Sequence, residues 1–219
     1  MPRRPMERGV KGSLKWIQAL VNKYPTTLSR VIDFGPVTWR SPLAAQGYAE
    51  YWDDEFLDVL GIHGLKRSLA SFWPRSGPRW DALGVSATGT PVLVEAKAHE
   101  AELLSATAAS PGSRLMIERA FAEVAAGWRV AITPAWTDTY YQYANRLAHA
   151  FFLNELNARP AVLAFVNICG DPDMGGPAGR QGWEAELDKV HRKLRVLGKL
   201  PPYVVDVFID ASTGRPVAA

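Results

Sequence analysis

Trp73-Pro-Arg-Ser-Gly-Pro-Arg-Trp-Asp-Ala-Leu-Gly84, then Val85-Ser-Ala-Thr-Gly-Thr90, then Pro91-Val-Leu-Val-Glu-Ala-Lys-Ala-His-Glu-Ala-Glu102, is the stretch whose reading decides the fold. Residues 80–85 and 91–97 have strand character, and Ala87-Thr88-Gly89 suits a three-residue hairpin loop with glycine at the left-handed position. A hairpin centred on Thr88 sets Asp81 opposite Glu95. Cross-strand partners share a face, with Cβ atoms roughly 5 Å apart. Leu93, Glu95 and Lys97 alternate with Val92, Val94 and Ala96, so the two charged side chains of the second strand point the same way. The reading depends on register, because a slip of one residue would separate Asp81 from Glu95.

Two carboxylates and an ammonium on one spot do little for stability. At about 4 Å the carboxylates repel by roughly 4 kcal/mol at an effective dielectric of about 20. A hard divalent cation reverses that sign, and Mg²⁺ or Mn²⁺ suits carboxylate and carbonyl oxygens. Asp81, Glu95 and the Ala96 carbonyl are the expected ligands, with Lys97 beside them to orient or deprotonate a water or to stabilise charge at phosphorus. Glu-x-Lys alone is common where a strand ends in solvent. Asp81 at hairpin distance is what gives the pair its weight.

Asp81, Glu95 and Lys97 together resemble the signature of the PD-(D/E)XK nuclease superfamily, although Arg79 and Trp80, not proline, precede Asp81 and Pro78 lies further back. The resemblance is specific to residues 73–102. It implies an α/β fold, a central mixed β-sheet of four or more strands flanked by helices in a restriction-endonuclease-like core. It also implies Asp81 and Glu95 as metal ligands and Lys97 as the catalytic lysine, with cleavage leaving 5′-phosphate and 3′-hydroxyl ends.

Such a core expects a helix before the hairpin that carries a further glutamate. Ser41-Pro42 reads as a helix start, and Tyr48, Trp52, Phe56 and Val59 recur at helical spacing up to Leu60. Glu50 is the preferred metal-directed carboxylate of that helix, and Glu55 the alternative. The loop to Ser113 is a candidate edge of the site, and a helix is expected over residues 113–126. Residues 136–157 read as one amphipathic helix, with Tyr140, Ala144, Leu147 and Phe151 on one face and Gln142, Asn145, Arg146 and His149 on the other. That polar face suits contacts to phosphate and bases, or else an ordinary solvated surface. His99 and His149 are expected to be peripheral, and His63 and His191 show no partner.

Buried strands are expected over residues 161–168 and 203–209, with a helix over 181–197 between them whose acidic start and basic end complement its dipole. The Gly-rich segment 170–182 lacks the Lys-Ser/Thr ending of a phosphate loop. No Gly-x-Ser-x-Gly and no zinc-ligand spacing is present.

The 219 residues, 47% of them apolar, read as residues 1–12, a basic N-terminal arm, and residues 13–219, one domain large enough to bury a core unaided. Cys169, the single cysteine, forms no intrachain bridge. No segment is apolar enough to span a membrane, and Met-Pro-Arg-Arg-Pro does not open a secretion signal, so a cytoplasmic protein is expected. Net charge is +3, but basic residues concentrate in two places. Arg3, Arg4, Arg8, Lys11 and Lys15 form the arm, which reads first as a solubilising tail and second as a nucleic-acid contact. Lys66, Arg67, Arg75 and Arg79 crowd the approach to Asp81, where Arg75 and Arg79, with Gln142 and Arg146, are the expected nucleic-acid contacts. The expected partner is nucleic acid, DNA in the first instance, and not a membrane. A catalytically silent nucleic-acid-binding or protein-interaction module on the same fold, and an enzyme acting on another phosphate ester, remain open. Also open are endonuclease or exonuclease action and whether the chain works alone, as a homodimer or in a larger complex.

Overall fold

The computed structural model describes residues 8–31 and 35–217. α1 (Gly12–Asn22) and α2 (Pro25–Val31) lead to β1 (Val37–Ser41). A 3₁₀ turn and two short helices, α3 (Asp54–Val59) and α4 (Leu69–Phe72), precede the hairpin of β2 (Ala82–Ser86) and β3 (Pro91–Lys97). From there α5 (Pro111–Trp128), α6 (Ala135–Asp138) and α7 (Tyr141–Phe151) cross to β4 (Val162–Cys169). Helix α8 (Arg180–Leu194) crosses to β5 (Val204–Asp210), and the two-residue β6 (Arg215–Pro216) folds back on it.

The chain is thus α/β, with one mixed sheet whose five full strands lie in the order β1-β2-β3-β4-β5 and whose far edge is extended by β6. Strands β1 to β3 form an antiparallel meander, whereas β3, β4 and β5 run parallel. Parallel neighbours need crossovers, and the helices supply them and cover the sheet. Leu83, Leu93, Leu163, Phe165 and Phe208 pack with side chains of α3, α5, α7 and α8 on one face. Val92, Val94, Val166 and Ile209 pack with Ile17, Leu20 and Val21 of α1 and Leu28 of α2 on the other. Every residue of β4 is buried, as a strand covered on both faces requires.

The hairpin register is the one expected. Ala82 pairs with Val94 and Val85 with Pro91, and Gly89 turns the chain at φ +84°. The strands and helices of the last third lie within a few residues of their expected bounds. Ser110 rather than Ser113 caps α5, its hydroxyl accepting the Ser113 N–H, with Pro111 as the first helical residue.

The helix expected over residues 41–60 is not formed. Ser41 ends β1, and Gly47, Tyr48 and Asp53 all take positive φ, which a right-handed helix does not admit. Of the helically spaced residues only Phe56, on α3, is buried, while Tyr48, Trp52 and Val59 are half-buried; Tyr51, outside that spacing, is buried from the segment that bridges Trp80.

The helix expected over 136–157 is broken in two. Ser105 bridges Tyr140, donating its N–H to the Thr139 carbonyl and accepting the Tyr141 N–H, and this separates α6 from α7. A π-helical turn at Phe152–Leu156 ends the element. Most of its polar face does not meet solvent: Gln142 is exposed, but Asn145, Arg146 and His149 are buried along with Ala144, Leu147 and Phe151.

Two glycines mark close approaches. A Cβ on Gly84 would lie 2.4 Å from Val37 Cγ1 and 3.0 Å from the Trp39 ring, so β1 crosses β2 only over a bare backbone. A Cβ on Gly176 would lie 2.0 Å from the Ala98 carbonyl oxygen, which seats the 170–182 loop on the end of β3. Trp16 of α1 donates to Asp171 of that loop at 3.0 Å. Among the described residues no helix is long and apolar enough to cross a membrane. The Gly84→Ala variant is expected to be less stable by about 1–3 kcal/mol through overpacking against Val37. Urea unfolding with a midpoint equal to that of the wild type would refute this packing account.

Candidate functional site

The apolar row that β3 presents to the helical face runs Leu93, then Glu95, then Lys97, so at its C-terminal end a packed strand turns charged. The ends of parallel strands are where open α/β sheets form ligand crevices. Glu95 is 2% exposed and Lys97 7%. Lys97 Nζ donates to Glu95 Oε1 at 2.5 Å and to Gln142 Oε1 of α7 at 3.1 Å. The other Glu95 oxygen, Oε2, accepts from Arg146 Nε at 2.7 Å, with Nη2 of the same guanidinium 2.6 Å away.

Arg146 is held on every side. Nη2 also donates to the Arg79 carbonyl at 2.6 Å, Nη1 donates to Asn145 Oδ1 at 2.7 Å, and the guanidinium lies 5.0 Å from the Trp80 ring centroid. It is 5% exposed. The buried polar stripe of α7 exists to meet this charged end of β3. Arg146, expected as a nucleic-acid contact, lines the cleft with its guanidinium engaged by Glu95.

Asp81 precedes β2, and the register that pairs Ala82 with Val94 sets it across from Glu95. Its Oδ2 accepts the Ala96 N–H at 2.7 Å. An extended residue sends its N–H and C=O to the same edge, so the Ala96 carbonyl leaves β3 on the Asp81 side. Asp81, Glu95, Lys97, Gln142, Arg79 and Glu102 contribute to the walls of one open cleft of about 370 Å³. Glu50 reaches the back of the site from the extended segment before Tyr51, not from a helix as expected, and is buried.

The electrostatics follow from burial. Asp81 is open to the cleft on one side, yet burial and then the Glu95 charge push it up to about 8, against the pull of Lys97, the Ala96 amide and Arg146. Burial works to raise Glu95 too, but Arg146 and Lys97 outweigh it and hold the carboxyl below its usual range. Glu50 is raised by burial, with Arg79 opposing and Glu95 reinforcing. One carboxylate is therefore fixed in its ionised form while two beside it resist ionisation, a pattern characteristic of functional sites.

The donor set is hard oxygen throughout, which fits Mg²⁺ or Mn²⁺. Asp81 keeps one oxygen beyond the Ala96 bond, Glu95 Oε1 keeps a lone pair beyond Lys97, and the Ala96 carbonyl is adjacent. The unfavourable ionisation of Asp81 beside Glu95 is the kind of repulsion that a cation relieves. Among the described residues, no group of three or more His, Cys, Asp or Glu side chains is arranged to hold a metal, so any such ion would depend on water or substrate oxygens for the rest of its shell.

Other expected residues fall in varied places. Arg79 is exposed at the cleft, 4.9 Å from the Trp52 ring centroid, whereas Arg75 and Lys66 are exposed but are not among the residues that line it. Arg67 is instead paired with Glu123. Lys15 lies in α1 and pairs with Asp173 at 2.6 Å, whereas Arg3 and Arg4 lie outside the described residues. Glu55 lies in α3.

His149, expected beside the metal site rather than as a ligand, is 1% exposed, walled by Phe56, Phe72, Trp73 and Trp80, and burial takes it down to about 3, so it stays neutral. His191 has a partner after all, the Tyr143 hydroxyl at 2.7 Å. Glu102 was not assigned to the site. Its Oε2 accepts the Ala98 N–H at 2.6 Å and its Oε1 the Ser13 hydroxyl at 3.2 Å, tying the end of β3 to α1. The only sequence signal for it was its closeness to Lys97.

No family model matches the sequence, and neither a curated protein nor a solved structure matches the chain.

A carboxyl raised in the folded state favours folding when protonated, so the Asp81 contribution is present below the ordinary carboxylate range and is lost as pH rises toward about 8. Asp81→Asn removes that loss. The metal-free variant is expected to gain on the wild type by about 1–3 kcal/mol between pH 5 and pH 8, discounted for solvent at the cleft. Denaturation at several pH values checks this, and a stability gap that does not change with pH would contradict the assignment.

Proposed function

We propose that this chain is a metal-dependent nuclease that hydrolyses phosphodiester bonds, of DNA in the first instance, on a restriction-endonuclease-like core. The observation that carries this reading is the convergence of Asp81, Glu95 and Lys97 on one open cleft at the end of β3. The antiparallel β1-β2-β3 meander followed by the parallel β4 supports it, being a mixed sheet of the kind the signature implies.

In this reading Asp81, Glu95 and the Ala96 carbonyl hold Mg²⁺ or Mn²⁺, and Glu50 supports the site from behind. The ion would supply a water acidified toward neutrality and charge compensation at phosphorus. Lys97, aimed by Glu95 and Gln142, orients the attacking water and offsets the charge that develops during in-line attack. The exposed Arg79 and Arg75 bring the polyanion to an acidic cleft, where positive charge offsets the repulsion. The products are 5′-phosphate and 3′-hydroxyl ends.

One observation favours the rival reading, a non-cutting nucleic-acid-binding module. Glu95 is already neutralised by Lys97 and Arg146, an arrangement that is self-sufficient without metal. Incubation of linear, circular and single-stranded DNA and of RNA with Mn²⁺ or Mg²⁺, beside chelator and Lys97→Ala, separates the two. Metal-dependent products reduced about a hundredfold or more in Lys97→Ala are expected. DNA binding that needs no metal and survives Asp81→Ala, with no cleavage of any substrate, would give the module reading the field.

A further inference from the structure

We propose that Arg146 is a resident counter-cation of the site: it balances the Glu95 charge before any metal arrives and, by its own charge, lowers the affinity with which the carboxylates take one up. This role rests on the nuclease reading and adds to it a residue that sets how tightly the metal is held.

The geometry points to it in three ways. First, both Arg146 Nε and Nη2 fall on the same Glu95 oxygen, Oε2, at 2.7 and 2.6 Å. Nε donates to that oxygen and Nη2, whose own hydrogen bond goes to the Arg79 carbonyl, crowds it with positive charge, so Oε1, which takes the single Lys97 bond, is the oxygen left with room for a cation. Second, the guanidinium cannot leave as a surface arginine would. The Arg79 carbonyl, Asn145 Oδ1 and the Trp80 face fix its remaining sides, and neither it nor Glu95 is exposed enough for solvent to screen the charge. Third, the group is an arginine. A guanidinium keeps its proton under all ordinary conditions, whereas a buried lysine can shed its charge. A divalent ion on Glu95 Oε1 would therefore share one carboxylate with a permanent positive charge. At contact-scale distances and an effective dielectric of about 20, that repulsion is worth more than tenfold in affinity.

A merely structural clamp predicts the opposite sign. If Arg146 only held Glu95 in place, its removal would loosen the carboxylate and weaken metal binding. Calorimetric titration of Mn²⁺ at pH 8 into wild type, Arg146→Gln and Arg146→Lys distinguishes the two. Arg146→Gln is expected to bind Mn²⁺ at least about tenfold more tightly than wild type, with Arg146→Lys, whose ammonium keeps its charge only in part when buried, between the two. Equal or weaker binding by a folded Arg146→Gln overturns the role of Arg146 while leaving the metal site standing. Absence of Mn²⁺ binding in all three proteins overturns the nuclease reading itself, and this role with it.

Should Arg146→Gln not fold, the wild-type protein still decides the matter. Its Arg146 Nε–H resonance, identified by its loss in Arg146→Lys, is expected to move saturably as Mg²⁺ is added. A resonance unmoved at metal saturation overturns the proposal.

Discussion

A carboxylate buried at the end of a strand is the constraint on which this structure turns. Glu95 lies between two cations, with almost no water to solvate any of the three. Pairs of this kind are poor contributors to net stability, yet losing one partner costs about 3–5 kcal/mol, because a naked charge is left behind. The surroundings are therefore built to keep both partners present. Helix α7 delivers Arg146 and Gln142 one turn apart, Trp80 roofs the guanidinium, and the backbone of Arg79 takes its last donor. The short segment from Tyr51 to Asp53 is drawn in by the same demand, since Tyr51 bridges Trp80 and the Asp53 carboxylate accepts the Ser76 and Gly77 amides, shaping the approach to Asp81.

Much of this was legible in the chain because the relevant signals are local. The Thr88-centred turn fixed the pairing of Asp81 with Glu95, since register in a tight hairpin follows from loop length and glycine position. The apolar runs around Val166 and Val207 read as strands, of which the first is buried throughout and the second only over Val207–Ile209, and Trp183, Leu187, Val190 and Leu194 read as the inner stripe of a helix.

What escaped was decided by distant parts of the chain. Tyr48, Trp52 and Phe56 show helical spacing, but positive φ at Gly47, Tyr48 and Asp53 breaks the backbone between them, and only Phe56 joins the core. The polar stripe of α7 reads as a solvated surface until one knows that a buried carboxylate and an aromatic cage lie opposite. Asn145, Arg146 and His149 then become interior groups, each with a backbone or side-chain partner. A two-sided pattern shows that a helix has two environments and is silent on which of them is water.

The Gly176 contact with the Ala98 carbonyl and the Trp16 bond to Asp171 place the first helix and a late loop together on the end of β3. Ser13 and Glu102 join the same junction. The cleft is therefore closed by segments separated by most of the chain, and contacts of such long sequence separation are the slowest to form. During synthesis the hairpin bearing Asp81, Glu95 and Lys97 emerges well before the loop that seats against it. A partly made chain thus carries the three charged residues without the enclosure that brings them to their working geometry, and the site comes into being late in the folding of the molecule.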